Sequence, residues 1–247
     1  MTREVRVAVF RPDDERLAQA VELLDSLGAT PVPDPMLAVE PTGNVPEDAP
    51  YVVLTSKTGA ELLAEAGWSP GEATLVCIGP TTAAAARAAG WTVDAMPEEY
   101  SSAGLVELLR GDVAGERVAV ARSDHGSDVL LDGLREAGAT VEETVLYRLT
   151  RPEGAGQSTV MAAGGELEGV CFTSSLTVEN FLDAAAERGV RDEAVAGLND
   201  AVVGAIGDPT RETAAANGID VDVVPDRAEF EELACRVVEA AAPSYHE

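Results

Sequence analysis

The chain resembles itself, and this internal duplication constrains its fold more than any single motif does. Each repeated block contains an apolar run, a turn and a helical stretch, and the blocks recur in the same order. The matching pairs are VRVAVFRP (5–12) with ERVAVARS (116–123), VVLTSKTGAELL (52–63) with VCFTSSLTVENFL (170–182), and CIGPTTAAAARAAGWTVDAMPEE (77–99) with AIGDPTRETAAANGIDVDVVPDR (205–227). A repeat of roughly 110 residues is too long for a solenoid unit and is typical of a domain.

Within each block, strands alternate with helices. Residues 5–10 are almost continuously apolar, which is typical of a buried parallel strand. Asp13 and Asp14 follow where the positive end of a helix favours acids, and Gly28 is a typical helix stop. This alternation predicts the α/β class, with two doubly wound parallel-sheet lobes. Further strands are expected at 51–55, 74–78, 117–121, 169–173 and 201–206.

The residues alone leave two domain divisions open. In a simple tandem, the chain divides near Asp112. In the other arrangement, the extended segments 30–41 and 139–152 run side by side as connecting strands, and the second lobe is inserted into the first. The lobes of that arrangement are 1–37 plus 152–247 for lobe 1, and 42–146 for lobe 2.

The charge of the chain excludes some functions. It carries 44 acidic and 17 basic residues, a formal net charge of −27, and Lys57 is its only lysine. A field this negative repels phosphate backbones, so nucleic-acid binding is disfavoured. A hydrophobic fraction of 46% supplies a core, which excludes a disordered acidic tail. We interpret the acidity as adaptation to a salt-rich cytoplasm, because salt screens self-repulsion.

Other sequence features point away from membranes, metals and cofactors. The charged start MTREVR lacks the apolar core of a signal peptide, and no run of 18 apolar residues is present, so we expect a cytoplasmic protein without membrane contact. Cys77, Cys171 and Cys235 lack metal or redox spacing, and the chain has two histidines. Neither the GxGxxG fingerprint nor the Walker A pattern occurs. We therefore expect no metal and no cofactor.

Candidate binding residues lie in the turns that follow the strands. Ligands of doubly wound sheets bind beyond the carboxyl ends of the strands, where helix amino termini offer free N–H groups to anions. Arg11 and Arg122 end matching strands, where a surface ion pair is as good an interpretation as anion binding. Lys57 lies in such a turn, but its matching position is Ser175, which weakens its case. Four hydroxyl residues in these turns are also typical helix caps: Ser56, Thr82, Ser174 and Thr210.

The order and spacing of five motifs resemble the uroporphyrinogen-III synthase family, from Val5 to about Ala240. The motifs are LTSKTG (54–59), IGPTTA (78–83), VLYRLTRP (145–152), FTSSLTVENFL (172–182) and AIGDPTRETA (205–214). The resemblance implies the inserted two-lobed arrangement, joined by a two-stranded ladder. It also implies a hydro-lyase that cyclises the linear tetrapyrrole hydroxymethylbilane to uroporphyrinogen III, with loss of water and inversion of ring D. The resemblance implies no cofactor. It also implies a transient contact with hydroxymethylbilane synthase.

The resemblance also implies roles for particular residues. Tyr147, in VLYR, matches a tyrosine that assists departure of the substrate hydroxyl. Ser174 and Thr210 match residues of the substrate-binding turns, where backbone amides supply most of the contacts. The duplicated turns extend the expected substrate-binding set to Arg11, Ser56, Thr82 and Arg122.

Two departures from the family pattern qualify the resemblance. Phe10 stands where the family often has threonine, which removes a hydroxyl, and Asp208-Pro209 replaces the more usual Pro-Thr of the second glycine turn. Asp208 thereby places an acid near a polyanionic substrate, unless it caps the following helix. The alternative function is a non-catalytic two-lobed binding or regulatory module, since duplicated α/β lobes also build small-molecule sensors.

The net charge of −27 predicts that stability rises with salt. Between about 0.1 M and about 1 M NaCl the Debye length falls from about 10 Å to about 3 Å, so repulsion between surface carboxylates is screened. Each kcal/mol of repulsion removed raises the melting temperature by about 2–4 °C for a chain of this size. Thermal unfolding followed by circular dichroism measures the effect. A melting temperature independent of NaCl contradicts the interpretation of salt adaptation.

Overall fold

The computed structural model describes residues 4–242; residues 1–3 and 243–247, including His246, lie outside the described part of the chain. The strands are β1 (Arg6–Val9), β2 (Thr30–Pro33), β3 (Ala38–Pro41), β4 (Tyr51–Leu54), β5 (Thr74–Cys77), β6 (Arg117–Ser123), β7 (Thr140–Thr150), β8 (Gly169–Phe172) and β9 (Val202–Ala205). The helices are α1 (Glu15–Ser26), α2 (Lys57–Glu65), α3 (Pro80–Ala88), α4 (Ser102–Leu109), α5 (Asp128–Glu136), α6 (Gln157–Ala163), α7 (Ser175–Glu187), α8 (Arg191–Asn199), α9 (Asp208–Ala216) and α10 (Phe230–Ala241).

The fold divides into two compact units. The first unit comprises the chain up to Ala38 and from Thr150 onward, and the second unit comprises Val39–Leu149. The first unit has a four-stranded sheet in the order β2-β1-β8-β9, and the second has a five-stranded sheet in the order β3-β7-β6-β4-β5. Strand β1 pairs in parallel with β2 and β8, β8 with β9, β4 with β5 and β6, and β6 with β7. The predicted α/β class with parallel sheets is confirmed.

In the first unit, helices cover both faces of the sheet, because successive residues of a buried strand point to opposite faces. Val7 and Val9 pack with residues of α1 and α10. Ala8 and Phe10 pack with residues of α6, α7, α8 and α9. The ring of Phe10 lies 5.0 Å from that of Phe172, centroid to centroid. The phenylalanine that replaces the family threonine is therefore a core residue.

The second unit is built in the same way. Val52 and Leu54 of β4 pack with residues of α2 and α3, whereas Val53 between them packs with α4 and α5. All three side chains are buried. Apolar residues at every position of this short strand thus serve two cores, which explains why the sequence runs apolar without alternation.

The segment 30–41 departs from the expected pair of connecting strands. Strand β2 (Thr30–Pro33) pairs with β1, and β3 (Ala38–Pro41) lies beside β7. The chain between them is anchored at two points. Met36 is fully buried, and its carbonyl accepts a hydrogen bond of 2.6 Å from Asn180 Nδ2. These anchors separate the segment into two short strands that belong to different sheets.

The other anchor is Asp34, a buried carboxylate that caps a helix remote in sequence. It accepts hydrogen bonds from the backbone N–H groups of Gly156 and Ser158, each at 2.8 Å, and from Ser158 Oγ at 2.5 Å. These donors lie at the start of α6, whose own N-cap residue, Gly156, has no side chain to accept them. Asp34 therefore replaces a local cap.

Across residues 4–242, no helix is long and apolar enough to cross a membrane. The same residues contain no group of three or more His, Cys, Asp or Glu side chains arranged to hold a metal ion.

Replacing Asp34 with alanine tests its capping role. The Asp34→Ala variant leaves the buried donors at the start of α6 without their acceptor, and we expect it to lose about 2 kcal/mol of unfolding free energy. That loss corresponds to a melting temperature about 4–8 °C lower. The control is Asp183→Ala, which removes an exposed carboxylate from α7 of the same unit. Equal melting temperatures for the two variants contradict the role given to Asp34.

Candidate functional site

Parallel pairing brings three chain segments to one edge of the second unit's sheet. Leu54 at the end of β4 is in register with Cys77 of β5 on one side and Ala121 of β6 on the other. Helices α2 and α3 begin within a few residues of these strand ends. Their amino termini, with unsatisfied N–H groups and the positive end of the helix dipole, therefore lie side by side at this edge.

A bulge in β7 orients Tyr147 toward α2. The pairing of β6 with β7 shifts from Arg122 opposite Val145 to Ser123 opposite Tyr147, which leaves Leu146 as an extra residue. Leu146 and Tyr147 both pack in the core with α2 and α3, whereas an unbroken strand would send them to opposite faces. On the other edge of β7, Thr42 Oγ1 donates a hydrogen bond to the Val145 carbonyl at 2.7 Å.

The phenol of Tyr147 meets the amino terminus of α2. Its Oη donates a hydrogen bond of 3.1 Å to Ser56 Oγ, the N-cap of α2, which also accepts the backbone N–H of Gly59 at 3.0 Å. Tyr147 is only 7% exposed. Ser56 Oγ thus accepts two hydrogen bonds, and its own O–H remains available as a donor.

At the matching position of the first unit, the cap residue forms its hydrogen bonds within its own helix start. Ser174 is the N-cap of α7 and accepts the N–H of Thr177 at 3.2 Å, while Thr177 Oγ1 accepts the N–H of Ser174 in return. In the second unit Gly59 takes the place of Thr177, and an added Cβ would lie 3.0 Å from both Ser56 Oγ and Leu146 Cδ1. A side chain at position 59 would therefore crowd the cap Ser56 and Leu146, the residue before Tyr147. The capping prediction is confirmed for Ser56 and Ser174.

Asp124, in the turn after β6, holds the backbone around Tyr147. Its N–H donates to the Tyr147 carbonyl at 3.2 Å, and its Oδ1 accepts the Leu149 N–H at 3.0 Å. Partial burial raises the pKa of Asp124, but hydrogen bonds from His125 and Leu149 outweigh burial and lower it. Sequence reasoning did not identify Asp124 as a site residue. The feature that could have identified it is its position in the turn after a strand.

Arg122 is a buried anchor of the same turn. It is 5% exposed, its Nε donates to Glu143 Oε1 at 2.6 Å, and its Nη1 donates to the Ser127 carbonyl at 2.6 Å. Asp128 Oδ1 lies 3.4 Å from its Nη2. With these acceptors around its guanidinium, the geometry favours the ion-pair interpretation over anion binding.

Arg11, at the matching strand end of the first unit, has different surroundings. Its Cζ lies 4.5 Å from the ring centroid of Phe230, and it forms no ion pair with any described carboxylate. Burial and the charge of Arg16 lower the pKa of Arg11, with Asp14 opposing them. The guanidinium nevertheless stays protonated at neutral pH, so Arg11 keeps a charge available to an anion.

Thr82 and Thr210 are not helix caps, which corrects the capping interpretation for these two residues. The N-caps are Gly79 and Gly207, and each threonine is the third residue of its helix, α3 or α9. The same assignment makes Asp208 the first residue of α9 and not its cap; it pairs with Arg211 at 2.8 Å. Thr82 and Thr210 are 2% and 3% exposed, and among the described residues neither hydroxyl has a hydrogen-bond partner. Because side chains lean toward a helix's amino terminus, these hydroxyls lie beside its free N–H groups.

Comparison with known proteins gives a consistent result. Residues 18–235 match the sequence model of the family described as Uroporphyrinogen-III synthase HemD. The putative uroporphyrinogen-III synthase of Methanothermobacter thermautotrophicus is 34% identical over 238 residues, which cover 90% of this chain and 92% of that protein. A mutant uroporphyrinogen III synthase from Thermus thermophilus superposes with a TM-score of 0.68 at 22% identity, covering 96% of this chain and 98% of that one. The uroporphyrinogen-III synthetase of Helicobacter pylori superposes with a TM-score of 0.63 at 14% identity, covering 97% of this chain and 100% of that one. The two solved structures share the fold of this chain.

The cysteines have contrasting environments. Burial raises the pKa of the Cys77 thiol to about 11 against the opposing charge of Arg87. Burial likewise raises the pKa of Cys171 to about 12, with Arg11 opposing it. A thiol with such a pKa is almost wholly protonated at neutral pH and is a poor nucleophile. Cys235, on α10, is exposed.

These environments predict that one thiol per folded chain reacts. At pH 8, which lies below both raised pKa values, Cys77 and Cys171 stay protonated and buried, so a small disulfide reagent modifies Cys235 alone. In denaturant all three cysteines react. The count of released chromophore per chain measures this, and Cys235→Ala is the control, with no fast-reacting thiol. Two or three fast thiols in the folded protein would show that the buried pair is accessible.

Proposed function

The chain belongs to the uroporphyrinogen-III synthase family, and from this premise we propose that Tyr147 and Ser56 act together in its reaction. The matches to the family model and to the Methanothermobacter relative confirm the resemblance that the motifs indicated. The protein is an enzyme of tetrapyrrole biosynthesis. It cyclises hydroxymethylbilane to uroporphyrinogen III, with loss of water and inversion of ring D. The hydrogen bond between Tyr147 Oη and Ser56 Oγ supports the proposed roles most directly.

Tyr147 assists the departure of the substrate hydroxyl by hydrogen bonding. In the free protein its proton is directed to Ser56 Oγ. When substrate binds, the phenol O–H turns to donate a hydrogen bond to the leaving oxygen. Ser56 then donates a hydrogen bond from its own O–H to Tyr147 Oη, since a serine hydroxyl is both donor and acceptor. The Gly59 N–H continues to hold Ser56 Oγ throughout.

The amino terminus of α2 assists the same step. As the phenol gives its hydrogen bond to the departing oxygen, negative charge develops on Oη. The positive end of the helix dipole lies one hydroxyl away, through the N-cap Ser56, and stabilises that charge. The surroundings are buried, so the electrostatic effect is stronger than it is in water.

Substrate carboxylates are bound by helix amino termini and by one free guanidinium. In the first unit the proposed side-chain contacts are Arg11, Ser174 and Thr210, and in the second the contact is Thr82. Ser56 is assigned to Tyr147 instead, because its one O–H is donated to the phenol oxygen when substrate binds. Arg11 is favoured because no described carboxylate pairs with it. Thr82 and Thr210 are favoured because their hydroxyls are unpaired beside helix starts. Arg122, surrounded by acceptors, is assigned instead to holding the turn that contains Asp124.

Two further parts of the proposal concern the cell. The composition supports a cytoplasmic location at high salt, where a net charge of −27 is screened. A transient contact with hydroxymethylbilane synthase stays a prediction, and co-sedimentation of the two enzymes with and without substrate tests it.

One assay tests the function itself. The protein is incubated in high salt with enzymatically generated hydroxymethylbilane, and the oxidised products are separated by chromatography. Type III uroporphyrin supports the enzyme. The spontaneous type I isomer alone rejects it and favours a non-catalytic binding module, for which retention of the tetrapyrrole without turnover is the signature.

Substitutions at Tyr147 and Ser56 test the proposed roles. Tyr147→Phe keeps the ring in the core but removes the hydrogen-bond donor, and we expect kcat for the type III isomer to fall about 100-fold. Ser56→Ala removes the partner of the phenol, and we expect a fall of about tenfold. The control is Tyr51→Phe, which removes a phenol oxygen from the opposite end of the same sheet. An unchanged kcat in Tyr147→Phe rejects its role.

A further inference from the structure

Lys57, the only lysine of the chain, is the first residue of α2. It follows Ser56, the hydroxyl that accepts the hydrogen bond of Tyr147. Its side chain is 62% exposed, and its Nζ lies 3.3 Å from Glu61 Oε1, one helical turn away. Lys57 therefore begins the helix whose cap, Ser56, accepts the hydrogen bond of the phenol, and in the free protein its ammonium group is turned along the helix toward Glu61.

The position of Lys57 is electrostatically unfavourable for the free protein. A cation in the first turn of a helix lies at the positive end of the dipole, where acids are preferred. The exposed pair with Glu61 offsets this only weakly. In a chain with 17 basic residues, of which this one alone is lysine, a contribution to stability does not explain why a cation occupies the first turn of α2. A bound anion would explain it.

The other basic residues of the second unit do not supply a free cation beside Ser56. Four lie at the ends of helices or the start of a strand, at the edge remote from the site: Arg87, Arg110, Arg117 and Arg135. Arg122 is buried among acceptors. Arg148 is exposed, but it follows Tyr147 on β7, so its side chain points to the face of the sheet opposite α2. Lys57 is the cation that remains.

We propose that Lys57 Nζ binds a carboxylate of the tetrapyrrole whose hydroxyl Tyr147 assists. This inference rests on the proposed function and adds to it a side chain that binds charge. The substrate carboxylate takes the place of Glu61 as the partner of Lys57, and the dipole of α2 adds to the attraction. Lys57 is a binding residue in this account, because it holds the substrate and takes no part in breaking the bond.

Kinetics of charge-removing and charge-keeping variants test the inference. We expect Lys57→Gln to raise KM roughly three- to fivefold with kcat unchanged, since an exposed ion pair contributes little more than that. Lys57→Arg keeps the charge and restores most of the affinity. The increase in KM shrinks as NaCl is raised, because the pair is exposed and screened. The control variants are Arg110→Gln, at the remote edge, and Arg148→Gln, on the opposite face, for which we expect an unchanged KM.

Chemical modification gives a readout that does not depend on turnover. Because Lys57 is the only lysine, an amine-acylating reagent modifies one side chain, and mass spectrometry of its peptide reports the rate. We expect anaerobic uroporphyrinogen III to slow acylation of Lys57 severalfold and to leave acylation of the α-amino group unchanged.

The outcomes separate this inference from the proposed function. If the wild type makes the type III isomer but Lys57→Gln keeps the wild-type KM, or uroporphyrinogen III does not protect Lys57, the inference is wrong and the function stands. If Arg148→Gln shows the increase in KM instead, the cation has been assigned to the wrong residue. If the wild type makes no type III isomer, the function fails and the inference fails with it.

Discussion

Parallel strand pairing decides where chemistry can occur in this protein. Because β4, β5 and β6 are parallel and in register, α2, α3 and the turn after β6 all begin at the same edge of the sheet. That edge collects N–H groups and dipole ends that attract anions. The duplication gives both units such an edge. In the second unit Tyr147 reaches the cap of α2, whereas the described part of the first unit contains no tyrosine. Two further features distinguish the second unit. Gly59 stands where Thr177 of the first unit bonds to its own cap, and the bulge places Tyr147 on the face of the sheet that α2 covers.

Much of the fold follows from local sequence rules. Continuous apolar runs locate the buried strands, and acids or serines before helical stretches locate the helix starts, since both are decided by a few neighbouring residues. The caps Ser56 and Ser174 are predictable for this reason. Thr82 and Thr210 are not caps, because in each helix a glycine with extended backbone takes the cap position three residues earlier.

The rest of the site depends on contacts between residues that are distant in sequence. Asp34 caps a helix more than a hundred residues away, and Arg122 donates a hydrogen bond to Glu143 on the next strand. The bulge at Leu146 exists only relative to β6, so no pattern within β7 reveals it. Matching positions in the repeats also do not predict surroundings. Arg11 and Arg122 end matching strands, but Arg11 lies against the ring of Phe230 whereas Arg122 is surrounded by hydrogen-bond acceptors.

The proposed mechanism depends most on the coupling between Tyr147 and Ser56, and a double-mutant cycle on kcat for the type III isomer measures this coupling directly. If Ser56 acts through the phenol, the combined Tyr147→Phe and Ser56→Ala variant is no slower than Tyr147→Phe alone, because the serine has lost its partner. If the two losses multiply, the residues act independently, and the hydrogen bond between them has no part in the reaction.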